Sequence, residues 1–182
     1  MYELIDRNFV VIDFKTTSYD ESAEVISASI IDQNGTVLLD CLVLPENTSV
    51  FSPIPNFHEI TPNIVEDLGV QHYDFISQLE QILVHGDHDY VVAYNAAFES
   101  RFIPNHIIQK QEFICAMHIA RSFFNTHPSY SGLNNFLKLN GVAALFDMQI
   151  DPDEILTSLG DAKLCLNVWR RILQEWNTLE KL

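Results

Sequence analysis

Phe9-Val10-Val11-Ile12-Asp13-Phe14-Lys15-Thr16-Thr17 is an apolar run that ends in a carboxylate, with a lysine two positions on. The run reads as a buried strand over Phe9–Asp13, rich in β-branched residues. Strand side chains alternate between faces, so Val11, Asp13 and Lys15 point the same way. An acid at the end of a buried strand is costly unless a cation or a metal pairs with it. The reading of this stretch therefore turns on whether Lys15 is that partner or stands where a metal would.

The 182 residues are 47% hydrophobic, enough for one domain with a proper core, and the expectation is a single domain over 1–182. No apolar run approaches the roughly 20 residues of a membrane helix. The start of the chain lacks the basic, apolar and small-residue order of a signal peptide. Cys41, Cys115 and Cys165 stand singly, without CxxC spacing. They read as buried free thiols of a reducing compartment, and the expected location is cytoplasmic. A net charge of −15 excludes a general polybasic grip on a phosphate backbone. It leaves open a site where a divalent cation inverts the local field.

Working outward, Val25–Ile31 and Thr36–Val43 read as strands joined by the turn signal Asp32-Gln33-Asn34-Gly35. Pro45 to Pro55 reads as a loop. Thr61-Pro62-Asn63-Ile64-Val65-Glu66 looks like a capped helix start with Pro at the first helical position. Phe75, Leu79, Ile82 and Leu83 have helical spacing. Tyr90–Tyr94 is a fourth strand leading into a helix that opens at Asn95-Ala96-Ala97-Phe98-Glu99, and Glu112–Ala116 is a short fifth strand. Ser131–Leu139 and roughly 159–176 are further helices. Three strands followed by alternating helices and strands predict an α/β fold, a mixed sheet with helices packed on it.

Polar groups close several of these elements: Asp13, then Asn95 and Glu99, then Asp161. Asp161 lies on one helix stripe with Leu164, Cys165, Val168 and Ile172, so it faces the core or a cleft. Carboxylates meeting at one sheet edge can hold Mg²⁺ or Mn²⁺ for two-metal phosphodiester hydrolysis. Each acid alone has a plainer explanation: Asp13 as a strand end, Glu99 near a helix N-terminus, Asp161 in a first turn.

Taken in order, these segments resemble the 3′–5′ exonucleases of the DEDD superfamily, the group of the proofreading subunit of bacterial DNA polymerase III, ribonuclease T and exonuclease X, with the exonuclease X type nearest. Asp13-Phe14-Lys15-Thr16-Thr17 is similar to the family's D-x-E-T-T/S, and Ala23-Glu24-Val25 to its I-E-I stretch. His58-Glu59-Ile60-Thr61 is similar to H-x-I-T. Val92-Ala93-Tyr94-Asn95-Ala96-Ala97-Phe98-Glu99 is similar to V-A-H-N-A-x-F-D. Phe113 to Arg121 resembles the strand and helix that follow, and Leu156 to Asp161-Ala162 falls on H-x4-D-A. The resemblance covers about residues 9 to 176. It implies a ribonuclease H-like fold, Asp13, Glu99 and Asp161 as the catalytic acids, and Asp13 and Asp161 as metal ligands. It also implies Phe14, Thr16, Thr17, His58, Asn95 and Phe98 as nucleic-acid contacts, though Thr16 and Thr17 could simply end the strand, His58 could simply hold its loop, and Phe98 reads equally as core packing.

Two departures from the family pattern bear on activity. Lys15 stands for the second acid, and Leu156 for the histidine base five positions before the last Asp. The alternative tyrosine position holds Thr157. Glu99 for Asp keeps the charge and adds about 1.5 Å of reach. Three carboxylates and one ammonium leave a charge of −2, which one Mg²⁺ or Mn²⁺ would neutralise and two would overshoot. Loss of a general base costs on the order of 10²–10⁴ in rate. His118, His127 and Asp153, none at the motif position, are conceivable substitutes for that base, though His118 and His127 read first as ordinary surface or half-buried histidines. Three readings follow. The chain is a pseudoenzyme of the exonuclease fold that still binds a single-stranded 3′ end or a nucleotide; or an active exonuclease with a one-metal site; or a protein-interaction module without nucleic-acid binding. A homodimer or a protein partner is compatible with each.

Overall fold

The structure is a computed structural model that describes residues 2–47, 50–126, 138–149, 151, 154 and 156–179. A short helix α1 (Tyr2–Ile5) precedes strands β1 (Phe9–Thr16), β2 (Val25–Asp32) and β3 (Val37–Leu44). Helix α2 (Pro62–Leu68), strand β4 (Val70–Gln71) and helix α3 (His72–His85) follow. Next come β5 (Tyr90–Ala93), α4 (Ala96–Glu99) with a 3-10 turn (Ser100–Phe102), α5 (Asn105–Ile108), β6 (Phe113–Cys115) and α6 (Ala116–Thr126). Helices α7 (Leu139–Leu145) and α8 (Ser158–Leu179) close the described chain. The strands form a six-stranded sheet in the order β4-β3-β2-β1-β5-β6. β1–β2 and β2–β3 are antiparallel; β3–β4, β1–β5 and β5–β6 are parallel.

Period-2 alternation in β1 divides the core. Val10, Ile12 and Phe14 pack with Phe75, Leu79 and Leu83 of α3. Phe9 and Val11 pack on the other face with Ala162, Cys165, Leu166 and Trp169 of α8. Asp13 and Lys15 continue this second set, beneath the start of α8. Leu164, Val168 and Ile172 bury the remaining side of α8 against α6 and α7.

The strands predicted from sequence are all present, with boundaries moved by a residue or more. β1 runs three residues past Asp13, because β2 pairs with it as far as Thr16↔Val25, whereas β5 pairs only as far as Ile12↔Ala93. Thr61 occupies the N-cap of α2, but its side chain makes no capping bond, and Pro62 alone marks the start. The helical pattern beyond it is split at Gly69. A Cβ there would lie 2.4 Å from the Val65 carbonyl oxygen and 3.0 Å from the Leu44 nitrogen. Glycine thus permits the chain to close against β3 and add β4. Most of the helix expected over Ser131–Leu139 lies outside the described residues, and Leu139 begins α7 instead of ending a helix. Cys41 and Cys115 are half-buried and only Cys165 is fully buried, all three as free thiols. No helix in the described residues is long and apolar enough to cross a membrane.

Candidate active site

Lys15 is 0% exposed, and its ammonium is enclosed by ligands of opposite charge. Nζ donates to Asp13 Oδ2 at 2.9 Å and to Asp161 Oδ2. Phe57 covers it from the loop before α2, with the ring centroid 4.8 Å from Nζ. A desolvated cation over an aromatic face gains about 2 kcal/mol. Burial alone would lower the lysine pKa, but Asp13 and Asp161 outweigh it and raise it, so the ammonium stays charged. Burial pushes the Asp13 carboxyl up to about 7 against the pull of Lys15, and Asp161 adds to the rise.

Glu99 is the third acid of the cluster. Beyond Ile12 the β5 side of β1 has no strand partner, and Glu99 accepts a main-chain hydrogen bond from Phe14 there. Its Oε2 is buried without a partner. Burial pushes this carboxyl well above the usual range, and the charge of Asp13 adds to the shift. Both effects favour the protonated form of this carboxyl.

These donors do not fit a divalent ion while Lys15 is in place. Two carboxylate oxygens that would ligate it are bound to one ammonium, and a dication between them would lie against that charge. Among the described residues, no group of three or more His, Cys, Asp or Glu side chains is disposed to hold a metal ion.

A second device fixes Asp161 over β1. Ser158, the first residue of α8, is buried and its Oγ lies 2.6 Å from Ser27 Oγ and 2.7 Å from Ser29 Oγ. Ser29 Oγ donates to Asp40 Oδ1 at 2.8 Å. Each hydroxyl has one proton. Ser29 must therefore accept from Ser158, and Ser158 from Ser27, which gives the chain one direction: Ser27 to Ser158 to Ser29 to Asp40. Ser158→Ala strands the Ser27 proton in the interior and should cost about 1–3 kcal/mol, whereas Ser27→Ala removes only the terminal donor and should cost about 1 kcal/mol. Urea unfolding of both and of the double variant checks this. The double variant should be no less stable than Ser158→Ala, and additive losses would refute the direction.

Several expected nucleic-acid contacts are occupied internally. The Phe14 side chain is fully buried on the α3 face, edge-on to Phe75 at 5.9 Å, so only its main chain reaches the cluster. Thr16 Oγ1 donates to the Ser18 carbonyl at 2.7 Å. Thr17 Oγ1 accepts from Glu24 N–H at 3.1 Å. His58 is buried, and Ile60 N–H donates to its Nδ1 at 3.2 Å. Its proton therefore sits on Nε2 and is donated to the Thr16 carbonyl at 3.0 Å. His58 thus pins the Phe57 loop to the end of β1. Asn95 is the half-buried N-cap residue of α4. Phe98 is half-buried, in an aromatic group with Phe57 (6.3 Å) and the exposed Tyr19 (6.5 Å). Arg101 lies over Phe98 at 5.7 Å.

Leu156 is half-buried and has φ of 68°, a left-handed conformation unfavourable for a leucine. No proton can be taken there. His118 is exposed on α6, and His127 and Asp153 lie outside the described residues. Sequence reasoning missed Phe57, Tyr19 and Arg101, for which no local pattern exists. It also missed the serine chain, for which Ser27 and Ser29 on one face of an apolar strand were a readable signal.

No protein-family model matches the chain, and no curated protein sequence matches it. Among solved structures it is similar to a full-length 3′-exonuclease (15% identity, TM-score 0.68, covering 93% of this chain and 61% of that one). It is also similar to a 3′-exonuclease described for 3′-end-specific recognition of a histone mRNA stem-loop (15% identity, TM-score 0.67, 93% and 82%). A third is E. coli exonuclease I in complex with a dA16 oligonucleotide (12% identity, TM-score 0.69, 95% and 43%). The chain spans less than two thirds of the first and third of these proteins. The likeness shows the fold: a ribonuclease H-like mixed sheet flanked by helices, as in 3′-exonucleases.

Proposed function

We propose that this chain keeps the exonuclease fold with hydrolysis of nucleic-acid 3′ ends lost or strongly reduced, and that its cleft binds a single-stranded 3′ end or a nucleotide without cutting it. The observation that carries this reading is the Lys15 ammonium bound to Asp13 and Asp161. A buried cation supplies part of a metal's electrostatic role, but it neither activates a water nor stabilises a leaving oxygen as a metal does. Leucine at position 156 adds the loss of a base. The cofactor expectation reduces to one Mg²⁺ or Mn²⁺ at most, entering only with displacement of Lys15. The binding surface is the aromatic mouth of Tyr19, Phe57 and Phe98, on which bases stack without sequence preference. Two structural neighbours described with a histone mRNA stem-loop and with dA16 make a 3′ end the first ligand to try.

Incubation of 5′-labelled single-stranded DNA and RNA with the protein and Mg²⁺ or Mn²⁺ should show no shortening above a metal-free control. Anisotropy at low salt should show binding that Tyr19→Ala weakens. Metal-dependent shortening that disappears in Asp13→Ala would overturn the loss of hydrolysis.

A further inference from the structure

Lys15 uses only half of each carboxylate that it binds. Its Nζ donates to Oδ2 of Asp13 and to Oδ2 of Asp161. Neither Oδ1 has a hydrogen-bond partner among the described residues, and neither is closed to solvent: the buried side-chain polar atoms without a partner there are Glu99 Oε2 and Trp169 Nε1. The Asp13 and Asp161 side chains are 14% and 29% exposed. Tied to one nitrogen, the two carboxylates stand side by side, and the cleft floor offers a pair of neighbouring acceptors. Glu99, 4% exposed in the same cluster, adds an oxygen that also lacks a partner. The ammonium itself is fully buried and closed to a ligand. A phosphate at this floor would set charge against charge. A hydroxyl donates, and its bond to a carboxylate is roughly twice as strong as one to a neutral acceptor.

We infer that this floor recognises the free 2′,3′-diol of a terminal ribonucleotide, one hydroxyl donating to Asp13 Oδ1 and the other to Asp161 Oδ1. Two neighbouring acceptors call for two neighbouring donors. A strand has them only at a 3′-terminal ribonucleotide: internal ribonucleotides keep the 2′ hydroxyl alone, and a deoxyribonucleotide end has the 3′ hydroxyl alone. The inference rests on the 3′-end reading above and gives it a sugar preference, RNA over DNA. It also gives Lys15 a use. A metal would take up the oxygens of both acids, whereas the ammonium engages one of each and leaves the other to the sugar. The base lies on the rings of Tyr19, Phe57 and Phe98, which adjoin the cluster because Phe57 covers Lys15. Arg101, exposed and 5.7 Å over Phe98, is a cation at that mouth for the adjoining phosphate.

The probes are 5′-labelled oligo-dA strands that differ only in the last sugar: riboadenosine, deoxyadenosine, 3′-deoxyadenosine, or deoxyadenosine with a 3′-phosphate. Anisotropy in EDTA, which keeps hydrolysis out of the measurement, should give at least about tenfold tighter binding of the riboadenosine end than of each other end. Asp161→Asn should bring that ratio near one, because the amide turns its oxygen to Lys15 and a donor to the cleft; an unchanged thermal melt verifies that the variant folds. Competition by adenosine 5′-monophosphate separates the two sources of the diol. Displacement at equal concentration assigns the site to a free nucleotide, and none assigns it to a strand end. Equal affinity for the ribo and deoxy ends overturns the inference and leaves the 3′-end reading standing. So does tighter binding of the 3′-phosphate, which would mean that cations meet the end. Absence of binding by every strand and by the nucleotide overturns the 3′-end reading and this inference with it.

Discussion

Lys15→Met should destabilise the protein by about 3–5 kcal/mol at pH 8, a fall in Tm of about 6–20 °C, because one partner of a buried ion cluster is removed and the others stay. Methionine retains most of the stem volume, so the loss reports the ammonium and not a cavity. It leaves Asp13 and Asp161 facing each other, with Glu99 buried beside them. The destabilisation should shrink on acidification. A carboxyl whose pKa is raised by folding binds its proton more tightly in the folded state, so stability falls as pH climbs from about 4 through that raised pKa. In the parent that window ends near 7 for Asp13. Without Lys15 the window extends upward, and the two proteins should differ little at pH 5 and most at pH 8.

Mn²⁺ sharpens the test. Three acids without their cation make a site for one, and an ion at a hundredfold excess over its Kd adds about 2.7 kcal/mol to the folded state. Millimolar Mn²⁺ should therefore raise the Tm of Lys15→Met and leave the parent nearly unchanged. Equal gains in both would mean that the ion does not compete for the seat of the lysine. A variant as stable as the parent at pH 8 would mean that the carboxylates do not depend on it.

The cluster was legible where it follows a period. Alternation along β1 puts Asp13 and Lys15 on one face, and helical spacing puts Asp161 on the stripe of Cys165 and Val168, so two buried faces must meet. Contacts set by a loop were not legible. Phe57 reaches Lys15 because His58 fastens its loop to the Thr16 carbonyl, and neither bond has a local signature. The same bond, with that from Ile60 N–H, engages both ring nitrogens of His58 within the protein. β4 was illegible for a different reason. Two residues carry no alternation, and only the close approach at Gly69 shows that the helical pattern must break. The upward shift of the Glu99 carboxyl is invisible in sequence, since it depends on burial.

The largest change in activity should come from rebuilding the cluster. Lys15→Glu with Leu156→His and Glu99→Asp should give Mn²⁺-dependent shortening of a single strand from its 3′ end, at least about 10²-fold above the parent. Each substitution supplies a separate part. Glutamate at position 15 replaces the ammonium with a ligand, so that two oxygens freed on Asp13 and Asp161 can turn to an ion. Aspartate at position 99 keeps the acid and shortens its reach by one methylene, restoring the acid of the nuclease motif that the sequence resembles. Histidine at position 156 restores a group that takes a proton, and it tolerates the left-handed backbone there better than leucine does. Lys15→Glu alone should bind Mn²⁺ and cut slowly, and Leu156→His alone should do neither, because a base without a metal has no activated water to act on. Calorimetry with Mn²⁺ separates the two steps. If the triple variant takes up the ion and still leaves the strand intact, with Phe57→Ala added to open the roof over the cluster, then Leu156 does not occupy the seat of a base and the resemblance of that turn to the nuclease motif is one of sequence alone.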